Sequence, residues 1–210
     1  MSSRDNILNR LKTARENRPA VELSTPDFES PIYLEPKGSL ADWFRENLEL
    51  LGGKVLRPKN LNEAVCLLSD LQQQESWERI FCTDTQLQKA IGSKIAVQSE
   101  ADDFLKLQVG VTPCEFLVAH LGSVMVSSAG DSGCRLHVFP ETHIVVAHQH
   151  QLVRYLDDAL EAIRTKYRGA LPSSITNITG PSRTADIEKT LVMGMHGPKK
   201  LIVLLCDEPF

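Results

Sequence analysis

Short β-prone runs alternate with helical patterns along most of this chain, and that alternation restricts the fold more than any other feature. Ser39 and the pair Gly52-Gly53 bound the first helical pattern, and a capping-box-like pair, Asn60 and Glu63, opens the next. Strands that alternate with helices are typical of an α/β fold with a mostly parallel sheet flanked by helices. Strands are predicted at 54–57, 79–82, 94–97, 107–111, 122–127, 143–147, 175–178 and 201–206, and helices at 40–51, 61–74, 84–91, 151–167 and about 182–194.

The first 36 residues are predicted to form a separate segment ahead of an α/β domain over residues 37–210. Residues 4–17 carry apolar side chains at helical spacing, and four prolines between residues 19 and 36 favour an extended connector. The helix can either pack back on its own domain or dock on a partner subunit.

Charge, cysteine content and hydropathy exclude several classes of protein. The net charge is −4, which argues against a large nucleic-acid surface. Five cysteines without a Cys-x-x-Cys pair argue against a disulfide framework, a structural zinc site and an intrinsic iron–sulfur cluster. No apolar run approaches the roughly 20 residues needed to cross a bilayer, and the chain does not open on a secretory signal. We therefore expect a cytoplasmic protein that binds no membrane.

The segment from Thr179 to Pro198 gives the strongest chemical signal. Gly180 ends a predicted strand in a tight turn, and Ser182, Arg183 and Thr184 would then present hydroxyls, a guanidinium and unpaired amides at a helix N-terminus. That combination suits a carboxylate or phosphate anion. Alternatively, the hydroxyls only cap the helix and Arg183 is a solvated charge.

Acidic residues and one histidine extend this candidate site. Asp186 and Glu188 would lie in the first helical turns, where carboxylates are favoured by the helix dipole. His196, followed by Gly197, lies on a sharply turned loop, and its imidazole can transfer protons or bind a ligand near neutral pH. Alternatively, this loop only ends the preceding helix.

Three other segments carry weaker signals. Gly122 permits close backbone approach at a strand edge, and the Gly- and Ser-rich run at 129–135 is either a hairpin loop or an anion-accepting loop. Three histidines lie at 143–150, but they lack the spacing of a metal site, so no metal is expected. Cys114, at an expected helix start, is the cysteine to test for reactivity.

The run Thr179–Glu188, continued by Gly194–Pro198 and the strand at 201–205, resembles the signature of LUD-domain proteins, and specifically the lactate-utilisation protein C group. The resemblance extends over about residues 109–206. It implies a fold like that of the ribose-phosphate isomerase and coenzyme A transferase superfamily, close to the folate cyclo-ligase relatives. It also implies service in a cytosolic system that oxidises L-lactate to pyruvate, with the iron–sulfur clusters on two companion proteins and no cofactor intrinsic to this chain.

The resemblance also assigns residues. Where the family has an acidic residue two positions before its Gly-Ser turn, this chain has His120, so either His120 replaces that residue as a base or the subunit is not catalytic. The candidates for proton transfer are Asp186, His196 and His120. The candidates for ligand binding are Gly122, Ser123, Gly180, Ser182, Arg183, Thr184, Glu188 and Gly197.

The sequence is compatible with three different functions. The chain can be a subunit that binds a small carboxylate or phosphorylated ligand for lactate oxidation, or a non-catalytic assembly subunit. It can also be an independent transferase or ligase, with Glu115, Glu141 or Glu188 as nucleophile or base; that last possibility is a fold-level analogy.

Overall fold

The structure is a computed structural model that describes residues 2–17, 26–27, 30, 35, 38–100, 106–186 and 190–209; for residues 185, 186, 190 and 191 it describes the backbone alone. Met1–Glu35 and Pro36–Phe210 form two compact units. The helices are α1 (Ser3–Glu16), α2 (Leu40–Leu50), α3 (Leu61–Glu75), α4 (Thr85–Gly92) and α5 (Leu156–Tyr167). The strands are β1 (Lys54–Leu56), β2 (Ile80–Phe81), β3 (Val97–Gln98), β4 (Val109–Thr112), β5 (Phe116–Val118), β6 (Ser123–Ser127), β7 (Thr142–His148), β8 (Leu152–Val153), β9 (Ile175–Ile178), β10 (Arg183–Asp186), β11 (Thr190–Met193) and β12 (Lys200–Cys206).

In the first unit, α1 confirms the helix predicted at 4–17. Ser2 caps it, because its hydroxyl accepts a hydrogen bond from the Asp5 amide. Ile7, Leu8 and Leu11 are exposed. Pro19, Pro31 and Pro36 of the expected connector lie outside the described residues.

A six-stranded parallel sheet forms the centre of the second unit and confirms the predicted fold class. Its order is β1-β12-β7-β4-β2-β3. Successive residues of β7 point to opposite faces, so Ile144 packs under α3 and α4 while Val145 packs under α2. Both faces are therefore covered, as the nearly continuous apolar sequence of β12 requires.

A second sheet, of order β8-β5-β6-β9, lies on the α2 side of the main sheet. Its β5–β6 and β6–β9 pairs are antiparallel. Apolar residues of α5 cover its other face, where Ala159 and Ile163 pack against Val118 and Met125. The loop between β6 and β7 connects this sheet to the main one.

The helix predicted at about 182–194 is wrong, because this segment forms the antiparallel pair β10–β11. Arg183 pairs with Met193, and the Gly194 amide donates to the Ser182 carbonyl at 2.9 Å at the same end of the hairpin. The β-prone residues of Thr190–Met193 favour extended backbone, and cross-strand pairing stabilises it. The unpaired helix amides expected for anion binding are therefore not formed by these residues.

Two further helix boundaries are corrected. The helix predicted from Gln151 begins at Leu156, since residues 149–151 form a 3₁₀ turn and Leu152–Val153 pair with β5. The helix start expected near Cys114 is instead the approach to β5. Both errors involve short apolar runs, in which helical and strand patterns look alike.

Candidate functional site

Five of the sequence-predicted residues line one cleft of about 350 Å³, here called the turn cleft. Strand β9 and the loop between β6 and β7 form its other walls. A cleft of this size accommodates a small organic ligand. The sequence-predicted residues that line it are Gly180, Ser182, Arg183, His196 and Gly197.

Hydrogen bonds through Ser182 hold the two turns of this cleft together. The Ser182 amide donates to the Pro198 carbonyl at 2.8 Å, and the Ser182 hydroxyl accepts from the His196 amide at 3.4 Å. Behind the turn, Gly180 packs against Leu51, where a Cβ would meet the Leu51 Cβ at 3.1 Å. Because the Ser182 amide is already bonded, an anion in the cleft would be bound mainly by side chains.

The side chains of the turn cleft combine a cation with neutral hydrogen-bonding groups. Arg183 supplies an exposed guanidinium, and its Nη2 lies next to Gly52, only 3.2 Å from where a Cβ on that residue would be. His196 is also exposed, so both groups can reach a ligand from solvent. In β9, which also lines the cleft, the Asn177 Oδ1 atom is buried without a hydrogen-bond partner among the described residues. A guanidinium beside neutral donors and acceptors can bind a carboxylate and a neighbouring hydroxyl of the same ligand.

His120, Gly122 and Ser123 are not among the described residues that line the turn cleft. The His120 ring packs with Trp43 and Tyr155, at centroid distances of 5.5 and 5.6 Å. Gly122 lies directly under α2, and the Ser123 hydroxyl is buried without a described hydrogen-bond partner. The geometry gives Gly122 a packing role, and a ligand role for these three residues stays a prediction.

The remaining predicted residues lie on the hairpin. Thr184 is in β10 and is half-buried, without lining the turn cleft. The backbone of Asp186 ends β10, and Glu188 lies outside the described residues. Their proposed roles stay predictions.

Sequence reasoning named Glu115 as a possible nucleophile or base but did not identify the cleft of about 190 Å³ around it, here called the Glu115 cleft. The Glu115 carboxylate is buried and accepts hydrogen bonds from Ser127 Oγ (2.6 Å), Lys166 Nζ (2.6 Å) and Tyr167 OH (2.7 Å). Burial raises the pKa of this carboxyl group, but the three hydrogen bonds outweigh burial and lower the pKa below its usual value. These bonds stabilise the ionised carboxylate, which makes it a weaker base and nucleophile. The hydrogen-bond partners of Glu115 are 12 to 52 positions away along the chain, so no local sequence motif indicates that these side chains are grouped.

His137 was also not identified from the sequence, although it lines both clefts. Its ring lies 5.5 Å from that of His143, which is fully buried. Burial lowers the pKa of His137 to about 4, and burial together with the charge of His137 lowers the pKa of His143 to about 3. Thr112 Oγ1 is 2.8 Å from His143 Nε2, while His143 Nδ1 has no hydrogen-bond partner among the described residues. Both imidazoles are therefore neutral at pH 7.

Other groups nominated from the sequence have structural surroundings that limit their chemistry. Burial raises the pKa of the Cys114 thiol, so the reactivity considered for this residue is not supported. Glu141 is exposed and forms an ion pair with Lys199 at 2.7 Å.

Among the described residues, no three or more His, Cys, Asp or Glu side chains are grouped to hold a metal ion. Within the same residues, no helix has the length and apolar character needed to cross a membrane.

Curated relatives share part of this chain. "Lactate utilization protein C" of Geobacillus kaustophilus is 32% identical over 159 residues, which are 75% of this chain and 64% of that protein. The protein of the same name from Bacillus subtilis is 36% identical over 102 residues, which are 48% of this chain and 42% of that protein. The chain thus spans between 42% and 64% of the length of these relatives.

A solved structure has the same fold. The crystal structure of a DUF162 family protein from Deinococcus radiodurans superposes with a TM-score of 0.59 and 16% identity, covering 80% of this chain and 96% of that one. The sequence model of the LUD domain matches residues 41–206, which include α2, both large sheets and the turn cleft. This chain therefore belongs to the LUD domain family.

Proposed function

We propose that the protein serves in lactate utilisation by binding a small carboxylate, L-lactate or pyruvate, in the turn cleft. The observation that carries the proposal is the convergence of Ser182, Arg183 and His196 on one cleft, which Asn177 also lines with an Oδ1 atom that has no partner among the described residues. The names of the relatives support the process, and the composition of the cleft supports the class of ligand.

Each group has a defined part in binding. The Arg183 guanidinium would bind the carboxylate, since a planar fork of N–H donors matches two carboxylate oxygens. The hydroxyl of lactate would donate to Asn177 Oδ1, the carbonyl of pyruvate would accept from the Ser182 hydroxyl, and His196 would exchange a proton with the lactate hydroxyl. Oxidation of lactate to pyruvate releases two electrons and two protons. We propose that the electrons pass to companion iron–sulfur proteins in the cytoplasm and that this chain binds and orients the acid.

Removal of the guanidinium provides the direct test. In isothermal titration of the full chain with L-lactate, pyruvate and inorganic phosphate, Arg183→Gln is expected to weaken carboxylate binding at least tenfold, because a charge-assisted hydrogen bond contributes about 1.5–3 kcal/mol. Arg79→Gln is the control, since Arg79 is also exposed but does not line the cleft. Wild-type affinity for L-lactate in Arg183→Gln would refute the proposal, and preference for phosphate over both acids would reassign the ligand.

A second candidate function, assembly with partner proteins, is favoured by α1. No described side chain of this helix is buried, and Ile7 and Leu11 lie one turn apart on its surface, each more than half exposed. Ile7→Ser/Leu11→Ser is expected to reduce recovery of the co-expressed iron–sulfur proteins severalfold, whereas Asn6→Ser/Asn9→Ser retains it. Equal recovery with both variants would count against docking through α1.

A further inference from the structure

We propose that the Glu115 cleft is a second binding site, which takes an uncharged group that both donates and accepts hydrogen bonds, such as a carboxamide. The site is distinct from the turn cleft in its charge and chemistry, although His137 borders both. Binding in the Glu115 cleft does not depend on lactate binding in the turn cleft.

The charges in the Glu115 cleft select an uncharged ligand. Glu115 and Lys166 form an ion pair at 2.6 Å, so the two charges balance within the cleft. An anion would be repelled by the buried carboxylate and would compete with it for Lys166. A cation would be repelled by Lys166 and would compete with it for the Glu115 carboxylate. Either ligand would have to separate a partly buried ion pair, which is costly.

The hydrogen-bonding groups select a ligand with mixed polarity. A carboxylate offers about four acceptor positions, and the three described bonds leave room at Glu115 for one further donor. Ser132 lines the cleft and is only 8% exposed, and its hydroxyl has no hydrogen-bond partner among the described residues. Leaving a buried hydroxyl unpaired is unfavourable, and a ligand that hydrogen-bonds to it would remove that cost.

The neutral His137 imidazole adds one donor and one acceptor to the same space. A carboxamide matches this arrangement, because its NH₂ can donate to Glu115 or His137 while its oxygen accepts from Ser132 or Lys166. The walls at Pro113 and Val126 are apolar and suit a ring that carries the amide. The volume of about 190 Å³ accommodates one such ring.

Nicotinamide and nicotinate form a matched pair of probes, since they share the ring and differ only in the group on it: an uncharged carboxamide that donates and accepts hydrogen bonds, or a charged carboxylate that only accepts. In saturation-transfer NMR and isothermal titration with the full chain, we expect nicotinamide to bind at least ten times more tightly than nicotinate. Ser132→Ala is expected to weaken nicotinamide binding about tenfold. Ser93→Ala, an exposed serine outside the cleft, is the control that leaves it unchanged. Equal binding of the two probes, or none, would overturn the proposal.

Glu115→Gln tests the charge itself. This variant removes the repulsion, so the preference for nicotinamide over nicotinate is expected to shrink or reverse. If Glu115→Gln does not fold, the comparison of the two probes and the Ser132→Ala variant still test whether the Glu115 cleft binds a carboxamide. Arg183→Gln separates the two sites, because it is expected to leave nicotinamide binding intact whatever it does to lactate.

Discussion

Gly122→Ala is expected to lose at least about 3 kcal/mol of folding free energy, a large fraction of the roughly 5–15 kcal/mol that stabilises an ordinary protein. A Cβ on Gly122 would lie 2.3 Å from the Leu48 amide nitrogen and 2.5 Å from the Asn47 carbonyl carbon. These are backbone atoms of α2, so no side chain can rotate to relieve the contact. The φ of +57° adds strain for any residue with a Cβ. Urea unfolding followed by circular dichroism measures the loss.

Substitutions at two other glycines separate the cost of the contact with α2 from the cost of backbone strain. Gly133 has a φ of +51° but open space around it, so Gly133→Ala is expected to cost about 1 kcal/mol from backbone strain alone. Gly130 has open space and no positive φ, and Gly130→Ala should leave stability unchanged. Should Gly122→Ala cost no more than Gly133→Ala, the close approach of α2 is not what requires this glycine.

Acidification is expected to destabilise the domain steeply between about pH 6.5 and 4. An unfolded histidine takes up a proton near its ordinary pKa of 6.5, whereas the folded protein holds the pKa of His137 at about 4 and that of His143 at about 3. The unfolded state therefore binds more protons throughout this window, and stability falls as the pH falls. Each histidine contributes about 1.4 kcal/mol per pH unit once its unfolded form is titrated.

The slope of unfolding free energy against pH checks this expectation. In wild type, the loss between pH 5.5 and 4.5 is expected to be about 2–3 kcal/mol from the two histidines. His143→Gln should lower that slope by about half, whatever its effect on stability at pH 7. His196→Gln removes an exposed histidine and is the control. An unchanged slope in His143→Gln would show that the buried pair does not govern the acid response.

The fold could be predicted wherever local signals agreed with burial. Ser39 and Asn60 begin α2 and α3 as expected, because their side chains accept hydrogen bonds from amides three residues on. The hairpin could not be predicted, because the apolar spacing of residues 183–193 fits a helix as well as two strands. Pairing between Arg183 and Met193 decides between them, and that pairing is a tertiary contact rather than a local preference.

The candidate site was predictable only in its contiguous part. Ser182 and His196 were identified because both lie on glycine-containing turns of one short segment. Asn177, His137 and Glu115 acquire their significance from neighbours far away in sequence. His120 was nominated by a resemblance, and its ring packs with aromatic rings. Gly122 was nominated both by that resemblance and as a glycine that permits close backbone approach, and it lies against the backbone of α2.

The position of β12 has a consequence for biosynthesis. This strand separates β1 from β7, and Lys54 pairs with Ile202, so the ribosome must complete nearly 150 further residues before β1 gains its neighbour. Until then the nascent chain carries two open, apolar strand edges, which are prone to pair with other chains. Contacts so distant along the chain also slow folding. The nascent protein is thus expected to depend on chaperones until residue 206 has left the exit tunnel.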